Sequence, residues 1–276
     1  FCLAVSLVEL LFTGTNLDKL QSDIKLAFQC INDLNAGMPL KDIVILQRCV
    51  EMLRDPGSYD DSLEQPLLKE FEASAKNEDF TLAMVYSFQG YIYYVNGDFE
   101  RCSALAQETG ILLDKLLSYF ANMPVLFHQA ISLYIAAQKT SKMMKRRRLK
   151  ALAVKRHNIL RGWAKDGCCN VLHYVAILDA ESAIYNGGTI EQVEELYQKA
   201  IVLAARGGFV QDAAVGNERL ACFFLSRGER VEAGRRFEQA IRNYREWGFI
   251  SKVERLGRET EDLISSWSVR TSERFG

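Results

Sequence analysis

Residues 209–256 read FVQDAAVGNERLACFFLSRGERVEAGRRFEQAIRNYREWGFISKVERL, and their spacing decides the fold. Ala213, Asn217, Leu220, Ala221 and Phe224 recur at helical steps, which places them on one face. Gly228 stands where a helix end takes a residue free to adopt positive φ. A second stripe follows in Ala233, Phe237, Ala240, Ile241, Tyr244 and Trp247, and Gly248 closes it. Ala221, Ala233 and Ala240 are small enough for two backbones to approach, while Phe224, Phe237 and Tyr244 supply apolar bulk. The stretch is a helical hairpin of tetratricopeptide kind, which cannot bury its own apolar face and needs neighbours.

The same pattern returns upstream. Cys102/Ala106/Thr109, Val193/Tyr197/Ala200 and Ala233/Phe237/Ala240 share one step of four and one of three. In each unit a glycine stands five residues earlier, at Gly97, Gly188 and Gly228. The spacing is uneven, since Val193 to Ala233 is 40 residues against roughly 34 for a regular tetratricopeptide unit. The expectation is an all-α chain of tetratricopeptide-like antiparallel hairpins, stacked into an irregular right-handed superhelix.

Working outward, residues 1–57 read as N-terminal helices. FCLAVSLVELLF (1–12) lacks a basic leader, contains Glu9 and is too short to span a bilayer, so it reads as a truncated helix. Helices are predicted over 17–34 and 40–54, ended by Asn35-Ala36-Gly37 and Asp55-Pro56-Gly57-Ser58. Residues 58–79 form an acidic connector. Residues 80–163 hold the first repeat-like pairs and a basic helix, 164–265 the best-formed repeats, and 266–276 a tail. The whole, 1–276, reads as one helical-repeat domain and as a piece of a longer chain, since it opens at Phe1.

Composition narrows the function classes. The chain is 49% hydrophobic and 25% charged, with a formal charge of −1, so neither nucleic acid nor a membrane is indicated by net charge. Seven cysteines include no C-x-x-C pair, and no N-x-[ST] sequon occurs. Both point to a reducing compartment, the cytoplasm with the nucleus as alternative. His128, His157 and His173 show no metal-ligand spacing, and no phosphate-binding loop, nucleophile elbow or zinc-protease motif is present. No cofactor and no enzymatic activity are expected of these residues.

Two groups of residues are candidates for partner binding. The run Lys142–Arg156, KMMKRRRLKALAVKR, offers Lys145, Arg146, Arg147 and Arg148 to phosphate groups, an acidic partner or an import receptor. Its plain alternative is the solvated side of a helix whose inner face is Met143, Leu149, Leu152, Ala153 and Ile159. Tyr93, Tyr94 and Tyr185 are candidates to line a concave groove holding a peptide or another domain.

The stretches 170–188, 209–228 and 240–256 resemble the helical region of large signalling proteins. Those proteins join a STAND-type predicted ATPase, often behind a serine/threonine-kinase-like domain, to hybrid sensor histidine kinase modules. Tyr244, Trp247, Gly248, Lys252, Val253 and Leu256 match a segment that closes their helical array. The resemblance implies a non-enzymatic module coupling an NTPase-type switch to an output domain. The alternative is a free-standing tetratricopeptide-like adaptor that binds a peptide in its groove. Either way the expected partner is protein.

Overall fold

The protein is represented by a computed structural model that describes residues 2–33, 40–54, 79–109 and 122–260. Among these residues every regular element is a helix, and no strand occurs. The helices are α1 (Cys2–Phe12), α2 (Leu17–Asp33), α3 (Leu40–Arg54), α4 (Asp79–Asn96), α5 (Phe99–Glu108) and α6 (Asn122–Lys139). They continue as α7 (Met143–Lys165), α8 (Leu172–Tyr185), α9 (Ile190–Gly207), α10 (Val210–Arg227) and α11 (Arg230–Trp247), with further helical residues over 250–260 (α12). The acidic connector, apart from Asp79, and the 266–276 tail lie outside the described residues.

The turns follow the glycines. Gly208, Gly228 and Gly248 end α9, α10 and α11 in the left-handed conformation, at φ of 80°, 85° and 94°. A side chain at these positions would strain the backbone, whereas glycine reverses the chain freely. Between α8 and α9 the left-handed residue is Gly187, one position before the glycine singled out by spacing. Thr189 then caps α9, its hydroxyl accepting from the Gln192 amide.

All nine residues of the three repeated triplets are buried. Ala221, Ala233 and Ala240 lie at 1% exposure or less, as their role between close backbones requires. Helices α8, α9, α10 and α11 pack each against the next.

Helix α4 departs from an amphipathic hairpin arm. Between Ala83 and Val95 its residues are buried, except for half-buried Tyr86 and Gln89. A helix apolar on all sides belongs inside a protein, and α4 packs against α3, α5 and α6. From α1, Phe12 lays its ring against Phe88 and Tyr91 of α4. From α12, Lys252 and Arg255 donate to the carbonyls of Val95 and Asn96 at the α4 end.

The N-terminal helices also reach the last hairpin. Asn16 donates to the Glu246 carbonyl at 2.8 Å, Gln211 to the Phe12 carbonyl at 2.9 Å, and Ser251 to the Leu53 carbonyl at 3.0 Å. These bonds join residues about two hundred positions apart. The described helices therefore close into one body in which α1, the α1–α2 turn and α3 touch α10, α11 and α12 respectively.

Candidate interaction surface

Inside this body the buried ionisable side chains are held by hydrogen bonds, several of them to a partner of opposite charge. Glu181 of α8 is fully buried and accepts from Tyr197 Oη of α9 at 2.7 Å, Arg219 Nε of α10 at 2.6 Å and Gln138 Nε2 of α6 at 3.0 Å. Glu218 pairs with Lys252 Nζ and accepts from Tyr244 Oη, both at 2.6 Å. Asp212 meets His173 Nε2 and Gln211 Nε2, each at 3.1 Å. Arg156 donates to Gln129 Oε1 at 2.7 Å and to the Ala106 carbonyl at 2.6 Å. Buried charges persist only when paired or hydrogen-bonded; Glu181 and Glu218 have cationic partners, and Arg156 is held by neutral acceptors alone.

The surroundings move four buried groups, Glu218, Arg219, Cys102 and His128, away from acid–base work near neutral pH. Burial alone would raise Glu218, but the Lys252 charge and the bonds from Lys252 and Tyr244 leave it below the usual carboxylate range. Burial would lower Arg219, yet the Glu181 carboxylate holds it far above its ordinary value. Burial pushes the Cys102 thiol up to about 12 and His128 down to about 3. Cys30, Cys49, Cys102, Cys168, Cys169 and Cys222 are free thiols, and among the described residues no group of His, Cys, Asp and Glu could hold a metal ion. No described helix is long and apolar enough to cross a membrane.

Among the described residues, a strongly polarised part of the surface is the N-terminal end of α7. Its sequence, MMKRRRLKALAVKRHNILRGWAK, holds nine Lys and Arg and no acidic residue. Some of these cations are occupied. Arg156 is tied to α6 and α5, Arg161 to Asp179, and Arg146 and Lys150 sit over the Tyr185 ring at 4.8 and 4.6 Å. Thus the structure brings together Tyr185 and Arg146, two residues singled out from sequence. Lys142, Lys145, Arg147 and Arg148 are exposed and form no ion pair among the described residues.

Met143 and Met144 stand in the middle of these charges, 62% and 78% exposed. The expectation that Met143 belongs to the inner face of α7 is corrected here. The helix begins at Met143, so its first turn has not yet reached the packed interface that starts at Leu149. No side chain caps the helix start at Lys142, and its first turn carries no carboxylate. Beside this end an open cleft of about 690 Å³ runs between the α4–α5 turn and the α6–α7 junction. Phe99, Ser103, Lys139, Lys142 and Lys145 line it, together with the carboxylates Asp98 and Glu100. Lys139 Nζ lies 5.9 Å from the Phe99 ring centre.

Tyr93 and Tyr94 are 6% and 4% exposed, so neither lines an open surface. Tyr93 accepts from Gln89 and faces the Arg101 guanidinium, while Tyr94 packs between Phe127 and His128. Spacing did not reveal the Lys139–Lys145 cleft, although the complete lack of acidic residues in α7 was a visible signal. Comparison with family models, characterised proteins and solved structures finds no match.

Proposed function

We propose that the chain is a non-enzymatic helical-repeat module of tetratricopeptide-like hairpins, stacked with right-handed superhelical sense, that acts by binding protein. In a longer chain it would couple an NTPase-type switch to a signalling output domain. The observation that carries this reading is the Glu181 node, where one buried carboxylate takes hydrogen bonds from α6, α9 and α10. A displacement of one helix disturbs the bonds of three others, so a push on one face is felt across the stack. The pairing of the buried acids and bases supports a mechanical role over a chemical one. The adaptor reading is weaker because Tyr93 and Tyr94 are buried.

The first test is the coding sequence on either side: a G-x-x-x-x-G-K-[ST] motif upstream and a kinase core downstream support the linker. The decisive one is hydrogen exchange on the parent chain with and without nucleotide. A coupling module changes amide protection along 172–260 when nucleotide binds upstream, whereas unchanged exchange throughout that span would refute it.

A further inference from the structure

The geometry points to the α7 start as a contact for an anionic phospholipid surface, with Met143 and Met144 entering the headgroup layer and Lys142, Lys145, Arg147 and Arg148 facing lipid phosphates. Net charge concealed this feature, because a chain of formal charge −1 gathers nine cations and no acid on one helix. Like charges crowded at a helix start repel one another and oppose the helix dipole, which favours anions at that end. A negative surface relieves both costs, and each Lys or Arg held near it strengthens binding about fivefold.

The two methionines decide between anionic partners. Nucleic acid would leave them idle, since its outer face is phosphate. An acidic helix in a groove needs apolar anchors at i, i+3 and i+4 along its partner. Here the exposed large apolar residues are two neighbours at a tip, while further along α7 Leu149 and Ala153 are fully buried, Leu152 is half-buried and only the small Ala151 is exposed. A two-residue tip ringed by cations matches a soft interface that yields around it. The adjoining cleft, lined by Lys139, Lys142, Lys145, Phe99 and Ser103 among others, gives room beside the tip for a headgroup. Asp98 does not cancel this charge, being already engaged with the Arg101 amide and guanidinium. Glu100 is the carboxylate left facing the lysines.

The test is sedimentation of the full 276-residue chain with vesicles of phosphatidylcholine, with and without one-third phosphatidylserine, in physiological salt. The expected result is binding to the mixed vesicles and little to neutral ones. Lys145→Gln/Arg147→Gln/Arg148→Gln should lower the partition coefficient about 100-fold, at roughly fivefold per charge. Met143→Ser/Met144→Ser should lower it severalfold with every charge retained. Arg206→Gln/Arg230→Gln/Arg245→Gln removes the same charge from exposed positions elsewhere and should leave binding within about twofold. All these side chains are exposed, and thermal melting by circular dichroism confirms that each variant is folded. Equal losses in the two charge variants, unchanged binding of the methionine variant, or binding to an acidic polypeptide such as poly-glutamate with none to vesicles would overturn the proposal.

Discussion

At the scale of single residues, stability should concentrate in a few buried polar side chains. Arg219 is the partner whose charge offsets Glu181, which has no exposure of its own. Arg219→Met keeps much of the side-chain length and removes that charge, leaving an unpaired carboxylate in the core. A loss of about 3–5 kcal/mol is expected from breaking such a pair, read as a fall in the urea midpoint; a loss under about 1 kcal/mol would contradict it. His128 makes a second case. Neither ring nitrogen has a hydrogen-bond partner among the described residues, and burial brings it down to about 3. The unfolded chain, with an ordinary histidine, takes up this proton between about pH 6.5 and 3 while the folded one does not. Stability from His128 is therefore complete above pH 6.5 and declines on acidification, by up to about 1.4 kcal/mol per pH unit. His128→Leu should flatten the stability curve between pH 6.5 and 4.5, before the carboxylates titrate; parallel curves would count against this. Glu181 had a weak sequence signal, as one of two acids (with Asp179) in the otherwise largely apolar run LHYVAILDAESAIY, but its partners stand 16 to 43 residues away. Sequence alone gives no means of pairing them.

At the scale of elements, alanine positions determine how closely neighbouring helices approach. Ala240 of α11 is fully buried, and Ala240→Leu would force extra atoms into a filled interface. A cost of about 1–3 kcal/mol is expected from such overpacking, seen in thermal melts, while an unchanged midpoint would mean the interface is loose. These hairpins were legible because apolar period, small residues and terminal glycines all agree over 172–256. Helix α4 was less so. Its stripe of Met84, Phe88, Tyr91 and Val95 resembles an amphipathic arm, but Val85, Ile92, Tyr93 and Tyr94 fill the other sides. The all-round apolar pattern indicated a buried helix, and reading one face alone placed two tyrosines on a groove. For α7 the error was at one end: periodicity assigns Met143 to the inner stripe, but cannot say where along the helix the packing begins.

At the scale of the whole molecule, the bonds between the first helices and the last hairpin set this chain apart from an open stack. In an open array each unit touches only its neighbours, so damage stays local. Here Gly14 sits against the α9–α10 turn with φ of 85°, and a Cβ there would lie 2.5 Å from Gln211 Oε1 and 2.8 Å from the Gly208 carbonyl. Both the strained backbone and the collision act on the seam between the two ends. Such long-range closure has no local sequence pattern, because Asn16 and Glu246 carry nothing that advertises each other. It matters for function, since a body joined end to end can pass a displacement from its N-terminal helices to α12 without a flexible link. Hydrogen exchange of Gly14→Ala beside the unaltered chain addresses this directly. A closed body predicts that slow-exchanging amides of α10 and α11, some two hundred residues away, lose about as much protection as those of α1 and α2, by about 2 kcal/mol. Loss confined to residues 2–33, with α10 and α11 unchanged, would show that the ends are not coupled.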